Sequence, residues 1–363
     1  MSANRNIWRR LLRNKGAFFG LIIIGAALLV AVTAYFIAPD PSPDANRMIV
    51  EIGGRRPGFR QQFLLLKKER TPASPSFFQR LLSGKADEYN YIPINSYHRQ
   101  GDSLIVEKYV DEDMEERQAY PLNLLAADSS SSAASYPIRT RTFLLGTDKY
   151  GRDILSRLLV GVRVSLAVGL VTVMISLTIG VLLGALAGYF RGRVDEIILW
   201  LINVIWSIPT LLLVFAITLM LGKGFWQVFI AIGLTLWVNV ARIIRGQVLA
   251  VKEREFVEAA RALGYAHSRI LFRHILPNVM GPVWVVCASN FASAIVIEAG
   301  LSFLGVGVQP PQPSWGLMIK ENYNFIITHN PALALAPGVA IMLLVLAFNL
   351  LGNGLRDALD VRT

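Results

Sequence analysis

The chain has 363 residues, of which 53% are apolar and 17% charged, with a mean hydropathy of +0.46. The charges fall in blocks between long apolar runs, which excludes an ordinary soluble domain and describes a polytopic membrane protein with polar inserts. The net charge of +11 does not imply nucleic acid, because the basic residues flank apolar segments, where they set orientation in a bilayer.

Taken in order, the chain opens on a basic amphipathic start (Arg5, Arg9, Arg10, Arg13, Lys15) followed by an uncharged run over 17–38. That run can cross a hydrocarbon core of ~30 Å. Val32-Thr33-Ala34 has the character of a cleavage site, but the run exceeds the apolar core of a signal peptide, so an uncleaved anchor is expected over 1–38. Residues 39–142 are rich in Pro, Ser, Asp, Glu and Arg, with an acidic patch at Asp111, Glu112, Asp113, Glu115 and Glu116. Ser103–Val110 alternates as a strand does, and 128–135 (DSSSSAAS) reads as a flexible linker. This segment is expected to be an extracytoplasmic insert, α+β or partly disordered. The remainder, 143–363, is expected to form the transmembrane core, with spans at 163–189, 197–221, 225–243, 279–304 and 332–352, six with the first. Gly169, Gly180, Gly184 and Gly188 permit close helix contact in the second span, and Pro209 is expected to kink or locally loosen the third. The fold class expected is therefore an all-α polytopic membrane protein.

Lys and Arg near the span ends set the orientation. Arg191 and Arg193, then Arg245, Lys252, Arg254, Arg261, Arg269 and Arg273, then Arg356 and Arg362 lie on the side of the N-terminus, whereas the opposing short loops carry Lys223 and Lys320. Both termini are expected in the cytoplasm.

The most informative stretch is 254–277. Glu255, Glu258, Ala259, Ala260, Ala262 and Leu263 favour helix, Gly264 ends it, Ser268–Leu276 resumes it, and Pro277 suits the start of the next helix. An amphipathic loop lying on lipid is the plain alternative, but Ala259 and Ala260 anchor poorly and instead allow another protein to approach. The stretch resembles the EAA loop of permease subunits of ATP-binding-cassette importers, matching at Glu258, Ala259, Ala260, Gly264, Leu276 and Pro277. It departs where the family has Ile and this chain has His274. The His-Ile-Leu-Pro-Asn ending, together with 144–166 (LLGTDKYGRDILSRLLVGVRVSL) and 298–316 (EAGLSFLGVGVQPPQPSWG), is similar to the C-type dipeptide, oligopeptide and nickel branch.

That resemblance implies the type I permease fold in a bacterial inner membrane, and import of di- or oligopeptides, nickel or another small solute. It also implies a second permease subunit, two ATPase subunits on the cytoplasmic side and an extracytoplasmic solute-binding protein as partners, besides the lipid membrane. The 254–277 hairpin would couple ATP hydrolysis in those partners to transport. An ATP-independent secondary transporter is the alternative class, against which no convincing internal repeat is found.

Outside the hairpin, Asp148, Arg152, Asp153 and Arg157 sit just ahead of the second span, where Asp148 is expected to pair with Arg152 and Asp153 with Arg157, or to contact a sister subunit. Glu298, near the outer end of the fifth span, either lines the translocation path or bonds a neighbouring helix. Asn203, Asn239, Asn290 and Asn349 are expected to make interhelical hydrogen bonds. Cys287 is expected to be a small buried hydrophobe. No phosphate loop, zinc-protease motif or nucleophile elbow occurs, and His98, His267, His274 and His329 are scattered. No catalytic residue, metal site or cofactor is therefore expected, and ATP hydrolysis is assigned to partner subunits.

Overall fold

The computed structural model describes residues 2–69, 75–111, 114–125, 136–327 and 330–359. The linker 128–135, with Glu112, Asp113, His329 and Arg362, lies outside the described residues. In chain order the elements are α1 (Ser2–Arg13), α2 (Lys15–Ile37), β1 (Phe59–Lys67), α3 (Phe77–Ser83), β2 (Tyr89–Gln100), β3 (Ser103–Asp111), β4 (Met114–Pro121), α4 (Leu122–Leu125) and β5 (Ile138–Phe143). There follow α5 (Ile154–Phe190), α6 (Gly192–Trp206), α7 (Thr210–Leu221), α8 (Phe225–Lys252), α9 (Glu255–Ala262), α10 (His267–Arg269), a π-helical segment (Ile270–Ile275), α11 (Leu276–Leu304), α12 (Trp315–Asn322) and α13 (Ala332–Leu359). They form two compact units, one of Met1–Leu29, Val164–Gln309 and Ala340–Thr363, the other of Val30–Arg163 and Pro310–Val339.

Among the described residues, five stretches are long and apolar enough to cross a membrane: Lys15–Ile37, Ile154–Phe190, Phe225–Lys252, His267–Leu304 and Ala332–Leu359. The third expected span is not one kinked helix. The chain forms α6 and α7, bent by 96° across Ser207–Pro209, and only the pair taken together is long and apolar enough for a sixth crossing. The cause is local. Pro209 has no N–H to continue the helix and forces the residue before it out of the helical region. Ser207 closes α6 by donating its N–H to the Asn203 carbonyl at 2.9 Å and its hydroxyl to the Val204 carbonyl at 2.7 Å. Alone, α6 (15 residues) and α7 (12 residues) reach only ~22 and ~18 Å. Helix α5 also starts earlier than expected, at Ile154, and runs for 37 residues.

Within the first unit the glycines of α5 set the spacing. A Cβ on Gly180 would lie 2.7 Å from the Trp237 carbonyl, one on Gly188 2.8 Å from the Arg245 carbonyl, and one on Gly184 would strike the Ala241 backbone. Their spacing of four aligns them along one side of α5, so α8 packs backbone to backbone against it. Gly169 meets the Phe291 ring in the same way, and Asn290 donates from α11 to the Leu236 carbonyl of α8 at 3.4 Å. Cys287, expected to be buried, is half-buried.

The second unit contains a five-stranded antiparallel sheet in the order β4-β3-β2-β1-β5. Phe63 stands opposite Pro93 on β2 and Arg139 on β5, and Val106 opposite Tyr97 and Gln118. Side chains alternate across a strand, so β1 feeds two cores: Phe63 and Leu65 join Ile49, Ile52, Tyr109 and Phe143, while Leu64 joins Ile94, Leu104, Val106 and Leu125. Pro93 occupies an inner strand, and the ladder slips beside it between Ile94 and Ser96, as a residue without an N–H requires.

The same unit buries four charges together. Asp148 accepts from Arg152 Nε at 2.6 Å and Arg157 Nη1 at 2.7 Å, and Glu321 of α12 accepts from Arg152 Nη2 at 2.7 Å and Arg157 Nη1 at 2.8 Å. Both arginines are fully enclosed. The expected Asp148–Arg152 pair forms, but the Asp153–Arg157 pair does not. Asp153 precedes α5 and caps it, accepting the Ser156 N–H at 2.8 Å and the Ser156 hydroxyl. Helical spacing alone misassigned it because the cap competes for the same carboxylate. Burial pushes the Asp153 carboxyl above the usual carboxylate range, against the lowering effect of the Ser156 bonds.

Removing one member of a buried charge set costs ~3–5 kcal/mol, whereas replacing a matched pair by apolar groups costs far less. Glu321→Gln is therefore expected to lower the unfolding midpoint of the detergent-purified protein well below that of the Arg157→Met/Glu321→Leu double variant. A Glu321→Gln protein as stable as the parent would show that the four charges do not hold this unit.

Candidate functional site

The 254–277 stretch folds as a helical elbow, and its turn is built by backbone chemistry. Helix α9 starts after the extended Arg254, with Glu255 and Glu258 in its first turn and Arg261 in its last, each sign favourable to the helix dipole. At its end Leu263 donates to the Ala259 carbonyl at 3.0 Å, Gly264 to Arg261 at 2.9 Å and Tyr265 to Ala260 at 3.2 Å. The last two bonds are those of a Schellman cap, which needs a left-handed residue at the glycine position. Gly264 has φ +76° and open space around it, so its requirement is purely conformational.

The chain beyond differs from the expected hairpin. The second arm is not a separate helix ending at Pro277. His267–Leu304 runs on as one apolar helical stretch, widened to π-helix over Ile270–Ile275 immediately before Pro277. Pro277 lies at the first turn of α11, where its missing N–H costs least. The elbow is thus continuous with the membrane helix it leads into.

One side of the elbow is cemented to the helices. Val257, Ala260, Ile270, Leu271 and Ile275 are buried in a core with Ala185 and Tyr189 of α5, Val240, Ile244, Val248 and Val251 of α8, and Val279 and Val283 of α11. The Tyr189 hydroxyl lies 2.8 Å from His267 Nδ1, Tyr265 stacks on His274 at 5.8 Å, and the Arg269 guanidinium sits 4.3 Å over the Tyr265 ring. Nothing in the sequence marks Tyr189, because an isolated aromatic does not foretell a partner 78 residues away.

The opposite side is open. Glu258, Ala259, Gly264 and Pro277 are exposed, Leu276 is half-buried, and the large apolar side chains Phe256, Leu263 and Phe272 are exposed beside them, Leu263 by 71%. The two alanines therefore divide. Ala259 faces outward as expected, whereas Ala260 is buried in the chain's own core, and its smallness lets α9 sit close to its neighbours. An exposed apolar set on a rigid, cation-edged elbow has the make-up of a protein-binding surface.

The remaining candidates lie elsewhere. Asp148, Arg152 and Arg157 belong to the buried charge cluster, completed by Glu321, which no local pattern reveals because it comes 164 residues after Arg157. Glu298 is 1% exposed and accepts the Ser302 hydroxyl at 2.6 Å within its own helix. Ser302 in turn accepts the Val308 N–H at 3.0 Å, closing the turn after α11. Among the described residues, no group of three or more His, Cys, Asp or Glu side chains is placed to hold a metal ion.

Residues 180–363 match the family model described as binding-protein-dependent transport system inner membrane component, and residues 2–49 match the N-terminal transmembrane domain of oligopeptide transport permease C. The chain is 41% identical over 238 residues to the oligopeptide transport system permease protein OppC of Bacillus subtilis, covering 66% of this chain and 75% of that one. It is 44% identical over 216 residues to the glutathione transport system permease protein GsiD of Pectobacterium atrosepticum, covering 60% and 71%. To the dipeptide transport system permease protein DppC of Alkalihalophilus pseudofirmus it is 42% identical over 215 residues, covering 59% and 70%. Among solved structures, the inward-facing MetNI methionine ABC transporter aligns with a TM-score of 0.47 and 19% identity over 55% of this chain and 95% of that one. The chain belongs to the family of inner-membrane components of binding-protein-dependent transport systems, and it is a permease of the ATP-binding-cassette importer type.

Proposed function

We propose that this permease imports di- or oligopeptides, glutathione-sized peptides included, and that the 254–277 elbow couples its helices to ATPase subunits. The single observation that carries the coupling role is the elbow's two-sidedness: one side is part of the helix core, the other is open and apolar. The peptide substrate rests on the relatives, whose printed substrates are oligopeptide, dipeptide and glutathione. The full assembly in this reading has a second permease subunit, two ATPases and an extracytoplasmic solute-binding protein.

In this reading both termini and the elbow lie in the cytoplasm, and residues 39–142 form the extracytoplasmic insert between the first span (1–38) and the core (143–363). Several contacts support it. Arg191 after α5 meets Glu253 after α8 at 2.5 Å, and Arg245 holds Asp195 at 2.5 Å. Ends that meet need an even number of crossings between them, so the bent α6–α7 pair counts as one crossing and α8 as the return. Asn14 donates to Asp357 at 2.9 Å, and Leu11 and Ala17 share a core with Ala358, so the two terminal helices end on one side.

The mechanism is a relay of rigid contacts. Closure of the ATPase pair presses on Glu258, Ala259 and the exposed apolar side chains. The Schellman cap holds the elbow angle, and the core around Val257, Ala260 and Ile275 passes the displacement to α5, α8 and α11. The helices then exchange inward- and outward-open packings by hinge and shear motion. Glu298, Asp148, Arg152, Asp153 and Arg157 serve in this scheme as internal supports on the outer side.

A non-glycine residue at a left-handed position costs roughly 1–2 kcal/mol, and Asn tolerates that position best. Gly264→Val is expected to uncouple ATP hydrolysis from peptide uptake in proteoliposomes while leaving membrane insertion intact, and Gly264→Asn to keep most of the coupling. Normal coupled uptake by the valine variant counts against the elbow angle as the transmitting element. A cysteine at Ala259 is expected to cross-link to an ATPase subunit in the assembled complex, and one at the buried Val257 is not. Equal cross-linking at both positions would remove the assignment of the outward side.

A further inference from the structure

Helix α3 is only seven residues long, and none of them is buried. Phe77, Phe78 and Leu82 are large, apolar and exposed by 66%, 73% and 66%. At about 100° per residue, Phe77, Leu81, Phe78 and Leu82 fill one continuous arc of the helix, while Gln79, Arg80 and Ser83 fill the rest. An apolar arc of this size left open on a polar insert marks a contact surface.

Its position is fastened to the end of the first span. Gly84 ends α3 at φ +77°, and a Cβ there would lie 2.5 Å from the Pro41 carbonyl and 2.9 Å from the Tyr35 ring. Lys85 donates to the Pro41 carbonyl at 2.8 Å, and Arg163 donates to the Leu82 carbonyl at 3.1 Å with its guanidinium 5.1 Å over Tyr35. The Phe77 ring is 5.6 Å from Phe36, and the Arg80 guanidinium is 4.8 Å over Phe36. Phe36 and Ile37 close the last turn of α2 and are themselves exposed, by 38% and 49%. The apolar surface of the span's final turn therefore continues onto α3 without a break.

We infer that α3 is an interfacial membrane helix. Phe77, Phe78 and Leu82 enter the acyl boundary of the leaflet in which α2 ends, and Arg80 and Arg163 stand at the level of the phospholipid phosphates. The continuity with the span selects lipid as the occupant, since α2 delivers α3 to the depth where headgroups give way to chains. Short amphipathic helices lie at that depth with their apolar side inward, and arginine reaches outward from it. The insert is thereby tied to the bilayer at its base, whichever side of the membrane it occupies.

The test uses the full-length chain in its transporter complex, with Cys287→Ala removing the free thiol, reconstituted in nanodiscs of phosphatidylethanolamine and phosphatidylglycerol. Nitroxide labels are placed singly by Phe78→Cys, Leu82→Cys, Gln79→Cys and, on the sheet, Met114→Cys. Oxygen concentrates in lipid and a neutral nickel chelate in water. The ratio of oxygen to nickel collision rates is expected to be several-fold higher at 78 and 82 than at 79 and 114. Two independent sites keep the reading intact if one label disturbs the helix. Nickel-dominated relaxation at both 78 and 82 would place α3 in water. Shielding of both from oxygen and nickel alike would mean that a protein covers the arc. Either result overturns the inference.

Discussion

The close approach of α5 to α8 is the constraint from which the first unit takes its form. In a bilayer, lipid chains are as apolar as leucine, so helices gain from contact chiefly by packing and hydrogen bonding. Gly180, Gly184 and Gly188 remove the side chains that would hold α5 away from the Trp237, Ala241 and Arg245 backbone. The packed pair ends at Tyr189 and Val248, and those residues, with Val251, are the floor on which Val257, Ala260 and Ile275 rest. A surface elbow thus inherits the rigidity of a helix pair, which a loop anchored only by its own turn would lack.

The second unit solves its stability problem differently. Its sheet has two cores fed by alternate residues of β1, and ahead of α5 it relies on four buried charges. These carry no net charge as a set, two guanidiniums against two carboxylates. The arrangement is incompletely satisfied: Arg157 spends Nη1 on both acids, and its Nε and Nη2 have no hydrogen-bond partner among the described residues. Beside this set, Asp153 caps the first turn of α5.

Much of this was legible from the residues. The six apolar runs, the small-residue stripe of α5, the strand at 103–110 and the glycine turn at 264 follow from composition and spacing, and the family from the resemblance of the 254–277 stretch. The misses share a physical cause, which is competition that a linear pattern does not display. Asp153 had an equally well-spaced arginine four residues on, but the helix end claimed it first. Ala260 read as a surface residue because alanine carries no sign of which side it faces, and the neighbouring core decided. Pro209 read as a kink because one lost hydrogen bond bends a helix, yet with Ser207 closing the preceding turn the helix stopped altogether. Glu321 and Tyr189 had no local signal, because their partners are distant in sequence.

The wide turn at Ile270–Ile275 carries a mechanical consequence. A π turn stores one residue more than an α turn. Returning it to ordinary winding would change the phase of everything beyond by about 100° and its length by ~1.5 Å. The stretch from His267 to Leu304 therefore carries, near its start, a turn whose winding can trade rotation for advance along the helix.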